Sequence, residues 1–332
     1  MRALRFFFAL FSAVGAYFPD TVLGQEYQGR RFQVTKEVTG GDPAGSAFRE
    51  DLQGLRAIAV LLVVLAHAGW STFEGGFIGV DVFFVLSGYL ITGILVRELA
   101  GSGSIDLLRF YARRLRRLLP ALLVMVLLCF AAAVVLLSAA EARSQLASSP
   151  YAISWTSNLF FALRTVNYFD ELAVKDLFLH TWSLGVEEQF YLFWPAFLLG
   201  VYSLGARLGS GGERWLLPGV VTAAVASLVL CLYWTATAPE FAFYMMPARI
   251  WQLSLGALVY LRTSRPEASL AMGASATRLL LIAGLVLVIG SGMLLDNHVA
   301  YPGYLALFPS LGTALVILAG TPGIARGKSP LA

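Results

Sequence analysis

The segment DLQGLRAIAVLLVVLAHAGWSTFEGGFIGVDVFFVLSGYLITGILVRE, Asp51–Glu98, decides the fold of this chain. It contains two strongly apolar runs, with Arg56, His67 and Asp81 inside them or at their ends. Ionisable side chains are costly in membrane helices and persist mainly where they face a cavity, pair with one another or serve a substrate. The segment therefore predicts two membrane helices that carry a functional site.

Composition extends this prediction to the whole chain. Of the 332 residues, 58% are hydrophobic and 13% are charged, whereas soluble domains average about 45–50% apolar and 25% charged residues. We therefore expect an all-α fold, a polytopic transmembrane helix bundle embedded in a lipid bilayer. The net charge of +4 comes from Lys and Arg spread between apolar runs, which indicates cytoplasmic loops and not a groove for nucleic acid. Cys129 and Cys231 lie inside apolar runs, so neither a disulfide framework nor a metal site is indicated.

About eight runs approach the roughly 20 apolar residues that a membrane span needs. Lys and Arg are retained on the cytoplasmic side. When the segment before the first run lies inside, they fall in the inside loops, and among the outside loops only the long one, Glu141–His180, contains any. The predicted spans are Leu55–Trp70, Gly76–Leu99, Leu118–Ala140, Thr181–Ala206, Leu216–Ala236, Met246–Leu261, Arg278–Leu295 and Pro302–Gly320.

The chain divides into an N-terminal extension (1–49), a transmembrane domain (50–320) and a short cytoplasmic tail (321–332). The extension begins with basic residues and about 13 apolar ones, as a secretory signal does. Cleavage would leave residues 25–50 outside, against the orientation derived from the loops. An interfacial helix and an upstream start codon are equal alternatives.

Arg56 and His67 are predicted to lie on one face of the first span. Eleven residues of α-helix separate them by about 16 Å, or roughly three turns. Arg56 then lies near the cytoplasmic side and His67 toward the outer side. A neutral imidazole can accept a proton from a hydroxyl group or attack an acyl group. It can equally form a hydrogen bond to a neighbouring span, and spacing does not separate these roles.

The third predicted span is preceded by a cluster of arginines, RRLRR, Arg113–Arg117. Such a cluster is typical of positive-inside loops that contact anionic lipids. It also fits a phosphate site, because Arg binds phosphate through two parallel hydrogen bonds. A cytoplasmic donor that carries phosphates, such as an acyl coenzyme A, would be held at this cluster.

Two adjacent carboxylates, Glu187 and Glu188, lie early in the fourth span. Adjacent helical residues point about 100° apart, so only one of them can face the cavity that contains His67; we favour Glu187. Asp81 is expected either to orient His67 or to pair with Arg249, the charged residue within the sixth span.

At this point the chain resembles the acyltransferase-3 family of integral-membrane acyltransferases, which includes O-acetyltransferases of O-antigen and other envelope glycans. The resemblance covers about residues 50–320 and depends on several blocks in the same order. These blocks are DLQGLRAIAVLLVVLAHAG, GGFIGVDVFFVLSGYLIT, FYARRLRRLLPAL, LHTWSLGVEEQFYLFWP, FYMMPARIWQLSLGAL and YPGYLALFPSLGTAL.

The resemblance implies transfer of an acyl group, usually acetyl, from cytoplasmic acyl-CoA to a carbohydrate hydroxyl, in the inner (plasma) membrane. Lipopolysaccharide and other envelope polysaccharides are acceptors of this class, and acyl-CoA would act as co-substrate with no permanently bound cofactor. The family's motifs fall on the Arg56 and His67 pair, on an arginine pair, and on Ser183 with Glu187. The arginine pair is Arg113 with Arg116, our choice, or Arg114 with Arg117.

Two departures from the family pattern stand out. Arg249 and Trp251 are followed by Gln252 where an acidic residue is usual, which puts a proton-transfer role at that position in doubt. Family members also continue into a further block and two more helices, so an inactive truncated paralogue is one alternative. A membrane transporter of a small solute is another, because intramembrane Arg, His and carboxylates also form transport paths.

Overall fold

The computed structural model describes residues 49–321 except 165, 170–175, 210 and 265–271. The predicted N-terminal extension and cytoplasmic tail lie almost wholly outside the described residues. Within that part of the chain the fold is all-α, as predicted, and no strand is present. The α-helices are α1 (Glu50–His67), α2 (Gly79–Ser102), α3 (Leu107–Leu136), α4 (Ala139–Leu146), α5 (Ser149–Ile153), α6 (Ser157–Leu163), α7 (Trp182–Arg207), α8 (Gly212–Thr237), α9 (Pro239–Tyr244), α10 (Met246–Thr263), α11 (Ala274–Leu294) and α12 (Leu307–Ala319).

Four of the described helical segments are long and apolar enough to cross a membrane. They are Ser71–Ser102, which joins a 3₁₀ helix to α2, and the helices α3, α8 and α11. The helices α1, α7 and α10 carry the ionisable residues Arg56, Glu187 and Arg249, and such residues lower the hydropathy of a span. The eight-span count therefore stays a prediction.

The arginine cluster lies within a helix and does not precede one. We expected the third span to begin at Leu118, but α3 begins at Leu107 and contains all four arginines of the cluster. The Asp106 side chain accepts a hydrogen bond from the Arg109 backbone N–H at 3.0 Å and so caps the helix. Arginine favours helix, so no residue between this cap and Leu118 stops it.

The centre of the bundle is formed by α2 and α10, which pack directly on each other. Gly88 in α2 faces the backbone of Leu253, and Gly256 in α10 faces the backbone of Val85. Small residues allow helix backbones to approach this closely in membranes. The α1, α7, α8 and α12 helices also contact this pair, so the fold places the polar residues of several helices around α2.

Replacement of Gly88 by alanine is expected to destabilise the bundle by about 1–3 kcal/mol, because the new methyl group overlaps the Leu253 carbonyl. Gly101→Ala in the same helix is the matched control, since no atom lies within 4 Å of its added methyl group. The apparent melting temperature of the detergent-solubilised protein measures the difference. Equal melting temperatures for the two variants would contradict this packing.

The segment between α3 and α7 folds back against the bundle. Its described residues include three short α-helices, and α6 spans only seven residues, Ser157–Leu163, about 10 Å, which is too short to cross a bilayer. The fully buried Asn158 side chain donates hydrogen bonds to Gln189 Oε1 at 3.1 Å and to the Tyr244 carbonyl at 3.2 Å. The segment thus covers the first part of α7, near Gln189.

Candidate active site

His67 is the last residue of α1, and its side chain is half-buried. Its Nδ1 atom lies 2.8 Å from the Val63 carbonyl oxygen. A carbonyl oxygen only accepts hydrogen bonds, so the neutral imidazole carries its proton on Nδ1 and its basic lone pair on Nε2. This arrangement is the one that a general base or a nucleophile requires.

A second imidazole, that of His180, lies in the 3₁₀ turn Leu179–Thr181 immediately before α7. Burial, and next the electrostatic interaction with His67, lower the pKa of His180 to about 4. His180 is therefore neutral at physiological pH and lies within electrostatic range of His67. No local sequence signal connects His180 with His67, because only the fold brings the two residues together.

Glu187 lies in α7 and faces α2. Its Oε2 atom accepts hydrogen bonds from Ser87 Oγ at 3.1 Å and from Tyr191 OH at 2.7 Å. Arg56 of α1 interacts electrostatically with the same carboxylate. The structure therefore links Arg56 to Glu187, and it gives Ser87 a polar partner that its sequence context did not reveal.

Glu188 faces the other way, toward α3. Its Oε1 atom lies 3.6 Å from Arg114 Nη2, and the Arg114 guanidinium stacks on the Tyr191 ring at 3.7 Å from the centroid. The two glutamates thus have different partners, as the 100° rotation between adjacent helical residues requires.

Arg114 of the arginine cluster approaches the Glu188 carboxylate. Arg113 is half-buried, while Arg116 and Arg117 are exposed. Arg114 and Arg117 are three residues apart on one helix face, and so are Arg113 and Arg116. The choice between the two pairs therefore stays a prediction.

Asp81 is buried at 2% exposure and pairs with Arg249, the second of the two partners considered. Arg249 Nη1 lies 3.2 Å from Asp81 Oδ1, and Arg249 Nε donates to the Phe243 carbonyl at 3.0 Å. Gln252 and Tyr301 also donate hydrogen bonds to the Asp81 carboxylate. Both carboxylate oxygens of Asp81 are thus occupied by this network.

The remaining predicted residues surround these groups. Ser183 Oγ donates to the His180 carbonyl at 3.4 Å. Trp251 is 4% exposed, and its backbone N–H donates to Ser227 Oγ at 3.0 Å. In the described residues no group of three or more His, Cys, Asp or Glu is arranged to hold a metal ion.

The fold and the site define a helical membrane protein with buried charged residues between its helices. A family model described as an acyltransferase domain matches residues 49–329. The chain therefore belongs to the acyltransferase-3 family, which confirms the resemblance seen in the sequence.

Several curated relatives match this chain. It is 35% identical over 272 residues to a Komagataeibacter xylinus protein whose name describes a membrane-bound transacylase, with 81% of this chain and 64% of that protein covered. It is 39% identical over 211 residues to the peptidoglycan O-acetyltransferase OatA of Listeria monocytogenes, with 62% and 32% covered. The chain spans less than two thirds of the length of these relatives. No solved structure matches it.

Proposed function

We propose that this chain is a membrane O-acyltransferase that moves an acyl group, in the first instance acetyl, from cytoplasmic acyl-CoA to a hydroxyl group of an envelope carbohydrate. The observation that carries the proposal is the position of the His67 imidazole at the end of α1, with its Nδ1 atom 2.8 Å from Val63 O. Family membership supports the acyl chemistry, and the relatives named as O-acetyltransferases support a hydroxyl acceptor. We assign the protein to the inner membrane.

In the proposed reaction His67 Nε2 removes the proton from the acceptor hydroxyl. The hydroxyl oxygen forms a bond to the acyl carbon as the carbon–sulfur bond breaks, and the proton then passes to the departing thiolate. The arginine cluster holds the donor's phosphates, and Arg56 guides the donor toward His67. We favour Glu187 over Asp81 as the assisting carboxylate, because Arg249, Gln252 and Tyr301 already occupy Asp81.

A covalent route, in which His67 itself carries the acyl group, is distinguished by a labelling experiment. Radiolabelled acetyl-CoA is supplied to the purified protein without acceptor. Direct transfer predicts no label on the protein, whereas recovery of acyl-His67 would establish the covalent route.

The function is tested in cells that lack the gene and are complemented with wild type or with His67→Ala at matched membrane levels. Mass spectrometry of the envelope glycans measures their O-acyl content. We expect only the wild type to restore a discrete acyl mass, and the value of that mass identifies the group. If neither protein changes any glycan although both reach the membrane, the proposal is wrong.

Loss of a hydrogen bond to Glu187 is expected to slow transfer by about 10–100-fold, since a hydrogen bond to a charged group contributes about 1.5–3 kcal/mol and each 1.36 kcal/mol is a factor of ten in rate. Ser87→Ala and Tyr191→Phe each remove one donor to Glu187 Oε2. Ser102→Ala, an exposed serine at the end of α2, is the control. Initial rates at matched protein levels provide the measurement, and unchanged rates in both variants would remove Glu187 from the proposed mechanism.

A further inference from the structure

The Arg114 and Glu188 pair has unused hydrogen-bonding capacity. Arg114 Nε and Glu188 Oε1 are both buried, and neither atom has a hydrogen-bond partner within the described part of the chain. The closest approach of the two side chains is 3.6 Å, which is longer than a hydrogen bond. A buried donor or acceptor without a partner destabilises a protein, so these atoms are expected to be satisfied by a ligand or by water.

The guanidinium and the carboxylate are held in place by their surroundings. The Tyr191 ring lies under the Arg114 guanidinium at 3.7 Å from its centroid. One turn toward the start of α3, Tyr111 OH donates to the Leu192 carbonyl of α7 at 2.7 Å. This hydrogen bond joins α3 to α7 close to the Arg114 and Glu188 pair. We therefore expect the positions of Arg114 Nε and Glu188 Oε1 to be well defined.

The charges of the pair determine what it can bind. A phosphate would satisfy Arg114 Nε but would be repelled by the Glu188 carboxylate. A cation would pair with the Glu188 carboxylate but would be repelled by the Arg114 guanidinium. A neutral group with both a donor and an acceptor, such as an amide or a hydroxyl, satisfies both atoms without an uncompensated charge.

We propose that Arg114 and Glu188 bind a neutral amide or hydroxyl group of the donor's pantetheine arm, while the exposed Arg116 and Arg117 bind its phosphates. This inference rests on the proposed function. Arg117 lies one helical turn from Arg114, nearer than a pantetheine arm is long, so both contacts fit one extended donor.

The test compares two ligands on the full chain in lipid nanodiscs. Displacement of radiolabelled coenzyme A is measured with coenzyme A and with pantetheine, which lacks the phosphates. Glu188→Leu removes the acceptor and is expected to weaken both ligands by the same factor, about tenfold. Arg116→Ala is expected to weaken coenzyme A alone. Acetyl transfer by the same wild-type preparation reports separately on the proposed function.

A second variant keeps the test decisive if Glu188→Leu fails to fold. Glu188→Gln keeps an acceptor and removes the negative charge, so it is expected to leave the ratio of the two affinities unchanged. If the pair instead bound phosphate, Glu188→Gln would tighten coenzyme A relative to pantetheine. That result overturns the proposal. Pantetheine affinity that is the same in wild type and both variants overturns it too, and indicates that water satisfies the two atoms.

Discussion

Replacement of His67 by alanine is expected to lower the rate of acyl transfer by about 10²–10⁴-fold, the usual contribution of a positioned general base. The basis is local geometry. His67 ends α1, and the proximity of its Nδ1 atom to the Val63 carbonyl fixes the tautomer in which Nε2 holds the lone pair. Alanine favours helix, so α1 is expected to persist and the loss is chemical. Initial rates with acetyl-CoA and a glycan acceptor measure it.

His298→Ala is the matched control for this prediction. His298 is exposed in the turn after α11, and its backbone N–H donates to Asp296 Oδ1 at 2.8 Å, a contact that its side chain does not make. We expect wild-type rates from this variant. A His67→Ala protein that retains more than one tenth of the wild-type rate would show that another group removes the proton, and His180 is then the next residue to replace.

The fold class and a set of candidate site residues were accessible from the sequence, because apolar runs and isolated charges are local features. The partners of those charges were not. Whether Asp81 meets His67 or Arg249 depends on the packing of α2 against α10, which Gly88 and Gly256 permit. Sequence spacing gives the direction of a side chain from its own helix axis but not the identity of the neighbouring helix.

The arginine cluster illustrates the same limit. Spacing showed that either of two pairs fits the family motif, and the place of the pair after FYA pointed to Arg113 and Arg116. The choice between the two pairs stays a prediction. The structure adds that Arg114 points toward Glu188 and Tyr191. The rotation of α3 about its axis decides this, and it is set by contacts such as that of Tyr111 with the Leu192 carbonyl. That contact joins residues 81 positions apart, beyond the range of local patterns.

Replacement of Arg249 by methionine is expected to destabilise the protein by about 3–5 kcal/mol, because it leaves the Asp81 carboxylate buried without its counter-charge. Arg249 is 1% exposed and Asp81 2%. Arg249 also lies over the Trp182, Phe243 and Tyr301 rings at 5.2–5.7 Å. Its loss therefore removes cation–π contacts as well as the ion pair. The apparent melting temperature and the amount of protein in the membrane are measured, and we expect both to fall strongly.

The double variant Asp81→Asn with Arg249→Met separates charge from packing. Because it removes both charges, we expect it to be more stable than Arg249→Met alone, although the cation–π contacts stay lost. Breaking a buried ion pair is costly mainly through the charge that is left behind. If the double variant is instead at least as unstable as the single one, the charge of Asp81 is not the cause, and the stacking of Arg249 on the aromatic rings holds α10 in place.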